Sequence, residues 1–183
     1  MNFIIIHGVY NDPNGNWFPW LKKELESQNH EVIVPKFPTP IGQNLETWLK
    51  VMEKYEDKIN ERTVMIGHSL GAVFIVDYLE QSKKKIRTAF LVAGFHKNLK
   101  SPYDTMNRTF INKDFHWEKI KSSCKDIFVI ASDNDEFIPI EMSRELSKNL
   151  NAHLEIVHKG GHLNIQAGYR EFPLLLEMIE KLQ

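Results

Sequence analysis

Ser69 stands in the pentapeptide Gly67-His68-Ser69-Leu70-Gly71, entered by the apolar run Val64-Met65-Ile66 and left by a run with Leu70, Val73, Phe74 and Leu79 on one side. That is strand, sharp turn, helix, with a serine at the turn. A serine held this way can act as a nucleophile. The turn is tight enough that side chains two before and two after it would strike the chain, which glycine avoids. The helix that follows aims its N-terminal N–H groups and the positive end of its dipole at the place where negative charge would develop.

A serine hydroxyl is weakly nucleophilic and needs a base within hydrogen-bond reach and an acid behind that base. Near neutral pH the base is histidine, of which the chain has eight. His30 and His153 lie near the amino ends of strand-like runs, the wrong edge. His68 is inside the turn and directed away from the serine, and His7 precedes Gly8 at the end of the first apolar run. His96 and His116 fall in an irregular segment and stay open as rim residues. His158 and His162 both follow the last strand-like run. His162 is favoured, because Gly160-Gly161 lets its loop turn inward. For the acid, Ser132-Asp133-Asn134-Asp135-Glu136 follows the fifth apolar run. Asp135 is favoured, in the frame Asp-x-x-Ile-Pro, while Asp133 is expected to accept N–H groups within its own loop. Two N–H donors must face the developing oxyanion: Leu70 after the serine, and Val9 after His7-Gly8.

These residues need a frame that brings four loops to one edge. Phe3–Ile6, Glu31–Pro35, Thr63–Ile66, Thr88–Ala93, Asp126–Ala131 and Ala152–Val157 read as strands. Helical patterns separate them: Asn16 capping a helix to about Gln28, Asn44 capping one through Ile59, one from the turn to about Ser82, one to about Leu150, and one over Glu171–Leu182. Residues 95 to 121 are irregular, with a short helix around Trp117–Ser122, and read equally as an excursion over the site or as an ordinary connection. Trp17, Phe95 and Phe110 are candidates for a pocket wall, each read first as core. Alternating strands and helices predict a three-layer α/β/α sandwich with a mostly parallel sheet. Strand 2, short and closed by proline, and strand 6, alternating in polarity, suit edges. The order 2-1-3-4-5-6 follows, with the switch point between strands 1 and 3.

The 183 residues carry a net charge of -1, and neither nucleic acid nor an anionic membrane is expected as a partner. Lys83-Lys84-Lys85 reads as a solvated helix end. No G-x-G-x-x-G or G-x-x-x-x-G-K argues for a nucleotide, and no Cys/His spacing for zinc, so the expectation is no cofactor and no metal. With one cysteine, Cys124, and Phe3–Ile6 entered with no basic leader, the expectation is a cytoplasmic protein forming one domain over residues 1–183.

At this point the chain resembles a known group: the small single-domain serine hydrolases of the α/β-hydrolase superfamily, the YdeN and retinoblastoma-binding protein nine family. The resemblance covers nearly the whole chain. It rests on His7-Gly8, Trp17-Phe18-Pro19-Trp20-Leu21-Lys22-Lys23, Pro38 and Pro40 before Trp48-Leu49, Gly67-His68-Ser69-Leu70-Gly71, Val92-Ala93-Gly94-Phe95, Ala131-Ser132-x-x-Asp135 and Gly160-Gly161-His162. It implies a compact fold without the first antiparallel strands or a large cap domain, and Ser69, Asp135 and His162 as a triad in the chain order of α/β-hydrolases. It implies no substrate, and retinoblastoma binding is not carried over, because this chain lacks the Leu-x-Cys-x-Glu type of motif. The expected activity is cleavage of a small acyl substrate, an ester, thioester or amide. The rival is a hydrolase fold kept as a protein-binding module, which ester turnover and active-site labelling would separate.

Overall fold

The computed structural model describes residues 1–182. Its sheet has six strands in the order β2-β1-β3-β4-β5-β6, as the sequence predicts, and every neighbouring pair is parallel. The strands are β1 (Asn2–Ile6), β2 (Glu31–Ile33), β3 (Thr63–His68), β4 (Ile86–Val92), β5 (Cys124–Ser132) and β6 (His153–Val157). The continuous apolar runs occupy the centre, because a strand covered by helices on both faces has no polar side.

Within those runs the alternation of a strand sorts residues between two cores. Ile4, Ile6, Met65, Ala89, Leu91, Ile127 and Val129 face one layer; Phe3, Ile5, Val64, Ile66, Phe90, Val92 and Ile130 face the other. The first layer is built by α2 (Leu45–Glu53), α3 (Leu70–Gln81), α4 (Asp104–Ile111), α5 (Trp117–Ser123) and α6 (Ile140–Leu150), and the second by α1 (Phe18–Ser27) and α7 (Pro173–Glu180). Helix α3 is buried from Leu70 through Leu79, which suits a helix crossing the middle of the sheet. Fully buried Trp48 packs edge to face on Phe74 of this helix and on Phe110. Each such aromatic contributes about 2–3 kcal/mol by leaving water.

Four helical regions differ from the sequence-based expectation. Helix α1 is capped by Trp17 rather than Asn16, whose backbone has φ +48° and whose side chain is used elsewhere. Helix α2 keeps its Asn44 cap, with Oδ1 accepting from the Thr47 N–H at 2.9 Å, but stops at Glu53. Its last turn tightens, and a 3-10 turn follows over Glu56–Lys58. The irregular segment contains a helix the pattern did not show, α4, besides the short α5 near the expected place. Helix α7 starts at Pro173, two residues late, because proline suits a first helical turn.

Candidate active site

Strand β3 ends at His68 and α3 begins at Leu70, so Ser69 alone makes the turn, with φ +56° and ψ −120°. A non-glycine residue there costs about 1–3 kcal/mol and holds only where its surroundings dictate it. The Ser69 N–H donates to the Val92 carbonyl at 2.8 Å, and its carbonyl receives the Ala72 N–H at 3.0 Å. A Cβ on Gly67 would fall on the Gly71 carbonyl, and one on Gly71 on the Ile6 carbonyl, so both glycines are required for the reason the pattern gave. Gly8 is needed too: a Cβ there would come within 3.0 Å of the serine Cβ.

Ser69 is half-buried at the floor of a cleft of about 420 Å³ whose wall also carries Val9, His162 and Phe137. His162 Nδ1 lies 2.7 Å from Asp135 Oδ2, and the two side chains are only 10% and 2% exposed. Asp135 Oδ1 accepts the N–H groups of Phe137 at 2.8 Å and Ile138 at 3.1 Å. Both carboxylate oxygens are thereby committed, one to the loop and one to the imidazole. Asp135 and His162 are thus joined. Ser69 shares the cleft with His162, and its hydroxyl makes no hydrogen bond to His162 among the described residues, as is common without substrate.

The loop after β6 turns as Gly160-Gly161 suggested. Gly161 has φ +55°, and a Cβ there would press on Ala167. Trp17 and Asn134, which pattern alone did not single out for this, hold that loop: the Trp17 indole donates to the Leu163 carbonyl at 3.0 Å, and Asn134 Oδ1 accepts the Gly161 N–H at 2.8 Å. Asp133 behaves differently from expectation. It accepts the Lys159 N–H at 2.8 Å across the gap to the β6 loop and lies 2.5 Å from His158 Nδ1. The Lys159 N–H first, then His158, hold its carboxyl below the usual carboxylate range. This second pair is exposed and lies outside the cleft wall. His96 and His116 are likewise outside the wall: His96 packs on Trp117 beside Glu145, and His116 is exposed.

The loop after β1 is set by His7, buried and depressed below the usual histidine range chiefly by that burial. Its Nε2 accepts the Phe37 N–H at 3.0 Å, so its proton is on Nδ1, which donates to the Gly8 carbonyl at 2.9 Å. In a trans peptide the next N–H points the opposite way, so the bond that holds the Gly8 carbonyl also aims the Val9 N–H. That N–H has no partner among the described residues. The N–H of Leu70 heads α3, where no intrahelical acceptor is available.

His68 is locked in the same manner. Asn16 Oδ1 accepts the Ile165 N–H at 3.1 Å, which turns its Nδ2 toward His68 Nδ1 at 3.5 Å; His68 Nε2 then donates to the His162 carbonyl at 2.9 Å. Fully buried, His68 is pushed down to about 3. Of the three proposed wall aromatics, Phe95 lines the cleft, whereas Trp17 and Phe110 are fully buried core. Among the described residues no cluster of His, Cys, Asp and Glu could hold a metal ion, and no helix is long and apolar enough to cross a membrane.

A family model described as serine hydrolase matches residues 3–181. YdeN of Bacillus subtilis (strain 168) is 34% identical over 177 residues, covering 96% of this chain and 92% of its own. Serine hydrolase RBBP9 of Rattus norvegicus is 28% identical over 167 residues, 91% of this chain and 86% of its own. The crystal structure of the ydeN gene product superposes with a TM-score of 0.93 at 32% identity, over 98% of this chain and 97% of that one. Est1E from Butyrivibrio proteoclasticus, at a TM-score of 0.72 and 16% identity over 98% and 88% of the two chains, shares the fold.

Proposed function

The chain belongs to the serine hydrolase family, and we propose that it cleaves a small ester, thioester or amide through a Ser69-His162-Asp135 triad and an acyl-enzyme. The observation that carries this reading is the strained serine at the head of α3 sharing a cleft with a histidine whose Nδ1 is held by a buried carboxylate. Ser69 attacks the scissile carbonyl while His162 Nε2 takes its proton. Asp135 keeps the proton of neutral His162 on Nδ1 and stabilises the imidazolium that forms. The N–H groups of Val9 and Leu70 receive the oxyanion. His162 then protonates the leaving group, and water, deprotonated by the same nitrogen, releases the acyl group. No step calls on a cofactor.

A carboxylic ester is the first substrate to test, since its alkoxide departs more readily than an amine. The single cysteine, buried and with its thiol pushed up to about 12, has no part in this chemistry and suits a reducing, cytoplasmic setting. A fluorophosphonate probe tests the nucleophile directly. Wild-type protein is expected to be labelled and Ser69→Ala not; labelling that persists in the variant would refute the assignment.

A further inference from the structure

One wall of the cleft, made by Phe95, Leu99 and Tyr103, is apolar, yet Asn107 on α4 is set into it while only 2% exposed. Its orientation is forced from the oxyanion loop. The Tyr10 N–H donates to Thr39 Oγ1 at 3.0 Å, and that hydroxyl donates to Gln43 Oε1 at 2.7 Å. Gln43 Nε2 then gives one hydrogen to Asn107 Oδ1 at 2.9 Å and the other to the Met106 carbonyl at 3.4 Å. Turning the Gln43 amide over would set its oxygen against the Met106 carbonyl, so the direction of the chain is fixed. Asn107 has spent its oxygen. Its Nδ2 donor opens on the cleft and has no partner among the described residues. A substrate that covers this donor without offering an acceptor strips it of water and leaves it unpaired at about 1–3 kcal/mol, so the site favours a substrate that supplies one.

The place of the donor says which part of a substrate meets it. His162 protonates the leaving group, which therefore lies on the side of the β6 loop, supported by Trp17 and Leu163 in the layer of α1 and α7. Helix α4 belongs to the opposite layer, with Phe110 packed on Trp48. With the carbonyl oxygen at Val9 and Leu70, the remaining substituent, the acyl chain, extends toward α4. The cleft wall carries Glu136 and no lysine or arginine, so an anionic acceptor is disfavoured.

We infer that Asn107 is a specificity residue whose Nδ2 donates to a neutral oxygen within the acyl chain of the substrate, so that the preferred substrates are esters or amides of oxygen-bearing rather than plain alkanoic acids. This rests on the triad reading above. Two isosteric pairs of p-nitrophenyl esters test it: 3-methoxypropanoate against pentanoate, and 4-methoxybutanoate against hexanoate, each exchanging one methylene for an ether oxygen. Wild-type protein is expected to favour the ether ester of at least one pair by about fivefold in kcat/KM, the worth of one net neutral hydrogen bond. Asn107→Asp, which keeps an oxygen for Gln43 and turns a second one toward the ether, should bring that ratio below one. Asn107→Leu should bring it to one or less. Ester turnover by wild-type protein with no ether preference in either pair, or a preference that survives in Asn107→Asp, overturns the role of Asn107 and leaves the triad standing. No turnover of any ester together with no labelling of Ser69 overturns both. The wild-type ratio decides even if neither variant folds.

Discussion

Protonating His68 should be among the costliest single ionisations in this protein. Its Nε2 proton is held by the His162 carbonyl, so a second proton must go to Nδ1, which faces the Asn16 amide nitrogen, itself a donor. Turning Asn16 over would break its bond to the Ile165 N–H. The ring also packs against Trp17 and Phe18, at centroid distances of 6.2 Å each, and against His162 at 4.9 Å. Burial first, then the neighbouring His162, depress it from an ordinary 6.5 to about 3. A group depressed by folding contributes its full stability above the unfolded value and loses it as pH falls toward the folded one. At about 1.36 kcal/mol per unit, a fall from about pH 7.5 to about pH 4.5 removes about 3 kcal/mol through this one residue. His68→Gln carries an amide in place of Nε2 and cannot titrate. Urea denaturation followed by tryptophan fluorescence should find the variant less stable at pH 7.5, with the gap narrowing by about 3 kcal/mol at pH 4.5. Histidine 7, also buried and depressed, titrates in both proteins and cancels. A gap that stays constant across this range would refute the argument that His68 is locked neutral.

Other expectations follow from the same bonds. In Asp135→Asn the amide oxygen must stay with the N–H groups of Phe137 and Ile138, so the amide nitrogen faces His162 Nδ1 and drives the imidazole proton to Nε2. We expect kcat on p-nitrophenyl esters to fall by about 10³–10⁴-fold, whereas Asp133→Asn, outside the cleft, should leave kcat within about twofold, as stopped assays on both variants would show. Gly71→Ala sets a methyl on the Ile6 carbonyl, and thermal denaturation should show either no folded protein or a loss of about 3 kcal/mol or more. Lys113 Nζ lies 2.5 Å from Asp77, which is fully buried and pushed up to about 7 by that burial. A carboxyl raised by folding stabilises fully below its unfolded value and loses that contribution as pH rises through 7. Denaturation of Lys113→Met should therefore cost about 3 kcal/mol at pH 8 and distinctly less at pH 5, where Asp77 is neutral.

Much of the frame was legible because its causes are local. Phe3–Ile6 and Ile127–Ala131 are apolar without interruption and can only be central strands, while Pro35 and the alternation of His153, Glu155 and Val157 mark the edges. The two cores then follow from alternation. What was missed depends on contacts between distant parts of the chain. Asn16 has the residue type of a helix cap, but a bond to the Ile165 N–H, 149 residues away, claims its side chain. Asp133 has the type of a turn residue, but Lys159 and His158 claim it. Helix α4 shows no apolar stripe in Asp104-Thr105-Met106-Asn107-Arg108-Thr109, because one of its buried positions is Asn107. The polar residue that hid the helix from its pattern is the one that faces the cleft.

The same distinction separates His7, His68 and His162 as candidates for the proposed base. Composition treats them alike, and spacing separates them only by strand edge. Their partners separate them by nitrogen. His7 donates from Nδ1 to the Gly8 carbonyl and accepts the Phe37 N–H at Nε2, so neither nitrogen is free. His68 donates from Nε2 and faces a donor at Nδ1, so it too is spent. His162 commits only Nδ1, to Asp135, and its Nε2 has no partner among the described residues. An acid–base catalyst needs a histidine with one nitrogen fixed and the other free in the cleft. Of these three buried imidazoles His162 alone meets that condition, and the other two fix backbone around it: His7 aims the Val9 N–H, and His68 anchors the carbonyl of His162 itself.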